Sequence, residues 1–437
     1  MLVIKEGNGQ YTVNLDGLSF KSKPNATLPN LDITSPSTYS HRISSSAGGF
    51  TITGNSGGAL TLFALEGSTE WETLEPSFSK QVNFSFNEPV YNYYAIQTHA
   101  MNGNRIYRTY EIIWPGYVRV DGSNRYDVAI NASKALTRNR EDVKSVVITR
   151  GDTISDIIAG GPLAGLDEAP ILLTPSSSLY SGTKEELRRL NPEKAYIVGG
   201  TGSIHATVEQ EIKNLGIETV RITGANRYEA SVNAAKELTN QLNVQGKSAD
   251  TAFIVNGFVL TDAAAGLSVA INRNIPILYV AQSSVPTEVE KFIKDNPQYK
   301  KFKILGGTAT VSDAVSKKIS SLSTGNQVDR IGGSNRFETA INLIKHFNVD
   351  TKTVVIGRGD SVPGTKELYP DVVVGAPLAA KYDGAILLTL PGRLEDTTRG
   401  FLNTRHAAGF KVDQGFVQGG SSSVSDDQLF DFEFFMN

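Results

Sequence analysis

The chain has 437 residues, enough for about three domains and a sizeable core. Its 42 Lys and Arg stand against 45 Asp and Glu, a formal net charge of −3, which argues against a polybasic binder of nucleic acid or of a membrane surface. With no Cys there is no disulfide framework, thiolate metal site or Cys nucleophile, and 41 Gly in a 40% apolar chain fit an ordered protein rather than a collagen-like or disordered one.

The chain opens Met1-Leu-Val-Ile-Lys-Glu without a basic region followed by an apolar run, so no secretory leader is visible, and no apolar run is long enough to span a bilayer. Residues 1–117 carry short alternating stretches such as Gln81-Val-Asn-Phe-Ser-Phe86 and Arg105-Ile-Tyr-Arg-Thr-Tyr-Glu-Ile-Ile113. That period of two, bounded by Gly, Asn and Ser, predicts half-buried strands in an all-β sandwich or small barrel, with Trp71 and Trp114 in its core. Pro115-Gly116 marks the junction. Beyond it, buried β-runs alternate with helical stretches, which predicts α/β units with parallel sheets.

Self-comparison divides this second part into three. Arg119-Val-Asp-Gly-Ser-Asn-Arg-Tyr-Asp127 recurs as Arg221-Ile-Thr-Gly-Ala-Asn-Arg-Tyr-Glu229 and as Arg330-Ile-Gly-Gly-Ser-Asn-Arg-Phe-Glu338. The spacing of about a hundred residues is that of whole modules, expected at 118–218, 219–327 and 328–437. Each copy then has a β-run, a Gly followed by an Asp (Asp156, Asp262, Asp371), and a second β-run: Ile171-Leu172-Leu173, Ile277-Leu278-Tyr279 and Ile386-Leu387-Leu388. Each third run ends in paired glycines, at Gly199-Gly200-Thr201, Gly306-Gly307-Thr308 and Gly419-Gly420-Ser421.

Three ordered motifs in triplicate resemble the type 2 cell-wall-binding repeat of Gram-positive, notably clostridial, surface proteins, over residues 118–437. The resemblance implies three modules in a pseudo-threefold arrangement. It also implies non-catalytic, non-covalent anchoring to an anionic secondary wall polymer, a polysaccharide or a teichoic-acid-like chain, with no cofactor. The Ile-Leu-Leu strand is the short motif it associates with anchoring.

The residues themselves say more. Asn124, Asn226 and Asn335 suit helix N-caps, and Asp127, Glu229 and Glu338 fall where a carboxylate closes a capping box. Arg125, Arg227 and Arg336 occupy the first helical position, where a cation opposes the positive end of the helix dipole. Three copies of an unfavourable choice call for a partner: either Asp156, Asp262 or Asp371 of a neighbouring module, or an anionic ligand. The Gly-Gly-Thr/Ser turns offer backbone N–H groups to an anion, although simple turn chemistry also accounts for them. Tyr279 departs from Leu in module two, which suggests one weakened site. Ser361 to Pro370 lengthens module three as an expected surface loop. His41, His99, His205, His346 and His406 follow no repeat and no triad or metal spacing, so no catalytic or metal site is expected.

Attachment at the cell surface is therefore the expected function, with residues 1–117 as the part that couples it to a surface layer. Two alternatives stand beside it. One is a phage-tail or tailocin component attaching to host walls; the other, weaker for want of candidate residues, is a wall hydrolase with a catalytic N-terminal domain.

Overall fold

The computed structural model describes the backbone of strands between Thr12 and Ile113, and residues 116–435 apart from 138–141, 361–369, 411 and a few positions after 425; side chains are described from residue 117 onward. The chain separates into two units, Met1–Arg119 with Met436–Asn437, and Val120–Phe435. In the first, antiparallel pairing builds a six-stranded and a three-stranded sheet, the longest pair being Asn92–Met101 with Asn104–Ile113. The choice between sandwich and barrel, the surroundings of Trp71 and Trp114, and the loop at 361–369 lie outside the described residues.

The second unit holds three four-stranded sheets of one topology. In module one the order is Ile171–Thr174, Ser145–Arg150, Lys194–Val198, Glu218–Ile222, all parallel. The fourth strand is the one that opens the second repeat. Module two likewise takes Gln327–Ile331 from the third repeat. Module three takes Gly116–Val120, which opens the first. One bond marks the same place in each sheet: Gly199 N–H donates to Ile222 O at 2.8 Å, Gly306 to Ile331 O at 2.8 Å, and Gly419 to Val120 O at 2.9 Å. Each sheet is thus completed by the next repeat, and the third by the first.

The Ile-Leu-Leu/Tyr strands lie at the opposite edge of each sheet, and their side chains are fully buried. An edge buried under helices needs partners for its backbone. Thr183 and Thr398 hydroxyls donate to Leu173 O and Leu388 O, both at 2.7 Å, and Ser231 Oγ accepts from Tyr279 N–H. The Tyr279 hydroxyl reaches into module one and donates to Ser155 O at 2.5 Å. The residue that breaks the repeat therefore ties two modules together.

Ala- and Gly-rich segments make further contacts between modules, because small residues let backbones approach. A Cβ on Gly161 would stand 2.7 Å from Leu267 Cδ1, and one on Gly165 2.0 Å from Ile271 O. Asn272 Nδ2 donates to Ala380 O, and Lys381 Nζ to Leu136 O, both at 2.8 Å. Module one thus meets two, two meets three, and three meets one.

Candidate functional site

Within each sheet the strand order reverses between the first and third strands, so a crevice opens at their carboxyl ends, the usual ligand position in open α/β sheets. In module one that crevice lies between the Arg150-Gly151-Asp152 loop and Gly199-Gly200, and its counterparts lie at Gly257 with Gly306 and at Gly359 with Gly419. The repeated motifs converge there.

Asn124, Asn226 and Asn335 are exposed N-caps whose side chains accept the N–H of Asp127, Glu229 and Glu338 at 2.9–3.1 Å. Glu229 and Glu338 return the bond one residue before the cap, to the N–H of Ala225 and Ser334. Asp127 is one methylene shorter. It accepts instead from Asn124 Nδ2 and from the Tyr180 hydroxyl, whose ring stacks on Tyr126 at 4.9 Å.

Each first-turn Arg holds the first loop of its own module. Arg125 Nη1 donates to Gly151 O at 2.7 Å, Arg227 to Gly257 O at 2.5 Å and Arg336 to Gly359 O at 2.8 Å. Each also faces the Asp of the module before it: Arg227 acts on Asp156, Arg336 on Asp262, and Arg125 on Asp371. The charge pairs follow the same cycle as the lent strands.

Those three carboxyls pack on the glycine pairs. Gly199, Gly306 and Gly419 have φ of +134°, +103° and +94°, and a Cβ on them would stand 3.2, 2.5 and 3.0 Å from Asp156, Asp262 and Asp371 Oδ2. Ser203 Oγ also donates to Asp156. The first glycine of each pair is buried and its N–H is engaged by the lent strand, whereas Thr201, Thr308 and Ser421 are exposed beside half-buried Gly200, Gly307 and Gly420. Glycine is required here for backbone shape and for the close carboxylate.

The opening Arg of the repeat, not singled out from the sequence, also bolts the lent strand in place. Arg221 donates to Gly199 O and Ile204 O and pairs with Glu209 at 2.7 Å; Arg330 donates to Gly306 O and pairs with Asp313. His205, His346 and His406 lie on separate elements, and no group of three metal-ligating side chains occurs among the described residues. His41 and His99 lie outside the residues whose side chains are described.

Arg336→Ala is expected to lower stability by about 1–3 kcal/mol, because Gly359 O loses its donor and Asp262 its counter-charge. Adding Asp262→Asn should recover part of that loss; strict additivity in the melting of the double variant would refute the pairing.

Burial pushes Asp156, Asp262 and Asp371 above the usual carboxylate range, with Ser203 and the arginines opposing. Glu209 goes the other way: burial alone would raise it, but Lys213, Arg221 and Thr219 bring it down to about 2. A raised acid stabilises the fold below its unfolded value and loses that contribution as pH rises through the folded value; a lowered one loses its contribution as pH falls. Melting temperature is therefore expected to rise as the pH is lowered from neutrality toward the ordinary carboxylate range and the three aspartates take up protons, then to fall below about 4 as Glu209 protonates. A steady fall from pH 7 downward would contradict this assignment.

The sequence model of the "Cell wall binding domain 2 (CWB2)" family matches residues 119–209, 221–316 and 330–429. The N-acetylmuramoyl-L-alanine amidase LytC of Bacillus subtilis is 33% identical over 294 residues, covering 67% of this chain and 54% of that protein. The amidase enhancer of the same organism is 34% identical over 269 residues, 62% of this chain and 34% of that one. The chain thus spans about half of the first relative and a third of the second. Among solved structures, Cwp6 from Clostridium difficile aligns with a TM-score of 0.63 at 21% identity, over 87% of this chain and 65% of that one. Cwp8 from the same organism aligns at 0.64 and 22%, over 87% and 64%.

Proposed function

The chain belongs to the cell wall binding domain 2 family, and from that premise we propose that residues 118–437 attach it, without catalysis, to an anionic secondary polymer of the Gram-positive cell wall. The carrying observation is the threefold recurrence of one crevice, where Asn124, Asn226 and Asn335, the paired glycines and exposed Thr201, Thr308 and Ser421 share the carboxyl ends of parallel strands. Arg125, Arg227 and Arg336 bring a cation to each junction. Since Lys and Arg nearly balance Asp and Glu in the whole chain, attraction for an anion comes from these local clusters rather than a global field. Three linked sites of modest affinity act together through high local concentration.

This places the protein at the wall surface. No helix among the described residues is long and apolar enough to cross a membrane. The family match begins at residue 119, and the antiparallel strands before Gly116 build sheets of their own; that part of the chain serves to couple wall attachment to a separate assembly such as a surface layer.

Co-sedimentation with purified clostridial cell walls tests the reading. Binding is expected to weaken by about tenfold or more as salt is raised from about 0.1 M to about 0.5 M, since exposed charge attraction is screened. Undiminished binding across that range would remove the arginines from the recognition.

A further inference from the structure

The three crevices are not chemically equal. In modules one and three the first loop reads Arg-Gly-Asp, and the two side chains pair: Arg150 with Asp152, and Arg358 with Asp360. Module two reads Asn256-Gly257-Phe258 at the same place. Both changes act together. Asn256 is buried, its Nδ2 donates to Thr310 O at 2.7 Å, and its Oδ1 accepts the N–H of Phe258 at 2.8 Å and of Val259 at 3.1 Å. That side-chain turn fixes the loop in the conformation that presents Phe258.

Phe258 is 58% exposed, a large apolar ring held in water beside a switch-point crevice. The Arg227 guanidinium lies 4.0 Å from its centroid, and Tyr228 meets it edge-on at 6.2 Å, so the ring is braced on its protein side and open on the rest. In module three Arg336 faces two carboxylates, Asp262 and Asp360; at Arg227 the loop carboxylate is replaced by the phenyl ring. Arg227, which also faces Asp156, therefore has an apolar ring beside it at one junction, where the other two carry a loop Arg–Asp pair.

We propose that Phe258 and Arg227 form a subsite for one sugar unit of the wall polymer, the apolar face of a pyranose ring lying on Phe258 and an anionic substituent of that unit meeting Arg227. The assignment rests on the wall-binding reading above. It makes module two the selective junction, reading a sugar as well as a charge. Because ring contact is not screened, part of the binding is expected to persist at high salt.

The test uses the full chain and its Phe258→Ala and Phe258→Trp variants, with purified clostridial walls and the polymer released from them by acid. At both about 0.1 M and about 0.5 M salt, Phe258→Ala is expected to bind walls about fivefold more weakly or worse, and Phe258→Trp to bind like the parent. The emission of Phe258→Trp should shift to the blue on adding released polymer, beyond any change in the parent with its Trp71 and Trp114. This spectroscopic arm decides the matter even if the Ala variant melts early. Equal binding by parent and Phe258→Ala with no added emission shift would overturn the subsite and leave wall attachment standing. A parent that binds no wall would overturn both.

Discussion

A chain that begins at residue 122 is expected to melt on the order of 10 °C or more below one that begins at residue 116. The shorter chain lacks Gly116–Val120, the strand that completes the sheet of module three almost three hundred residues later in sequence. Val118 and Val120 are 7% and 3% exposed in that position, and their burial alone contributes about 3–6 kcal/mol, a large share of the about 5–15 kcal/mol that holds a domain together. Removal also exposes the edge of Gln414–Gln418 and leaves Gly419 N–H without the Val120 carbonyl. Calorimetry of the two chains reads the difference. Identical melting would mean that module three folds without the strand, and the cyclic closure would have no energetic content.

Gly165→Ala is expected to cost about 2–4 kcal/mol. The new methyl would lie 2.0 Å from the carbonyl oxygen of Ile271 and 2.9 Å from Asn274 Oδ1, both in module two. A flexible side chain could turn away from such a contact; a helix carbonyl cannot, so modules one and two must separate. Gly202→Ala is the control, because a Cβ there meets nothing within 4 Å and its cost should stay within about 0.5 kcal/mol. Equal melting of the two variants would show that close approach at the module centre does not stabilise the assembly.

Much of the second unit was legible because each module repeats the same local chemistry. The Ile-Leu-Leu runs are too apolar for anything but a buried strand, and Asn followed three residues later by Asp or Glu marks a helix start. Triplication turned weak signals into a plan. The sequence left Arg125, Arg227 and Arg336 between two partners, and the structure adds a third, the loop carbonyls of Gly151, Gly257 and Gly359, while the facing carboxyls belong to the preceding module.

Other features could not be read in this way. A β-run announces a strand but not the sheet that receives it, so the passing of Glu218–Ile222, Gln327–Ile331 and Gly116–Val120 to the preceding module is a long-range choice with no local mark. Arg221 and Arg330 stood in the repeated motif, yet their role depends on that exchange. Tyr279 reads as a departure from Leu; only the neighbouring module shows why a phenol suits the site, since its hydroxyl finds the Ser155 carbonyl. Phe258 was not singled out from the sequence, because neither its exposure nor its stack with Arg227 leaves a local mark there.

The central claim is attachment to a wall polymer, and its most direct test is co-sedimentation of a chain spanning residues 116–437 with clostridial cell walls before and after acid extraction of their secondary polymers. Starting at 116 keeps the strand that closes module three. The account predicts that the protein pellets with intact walls, stays in the supernatant with extracted ones, and is competed off by the released polymer. Equal binding to extracted and intact walls, or none to either, would contradict it.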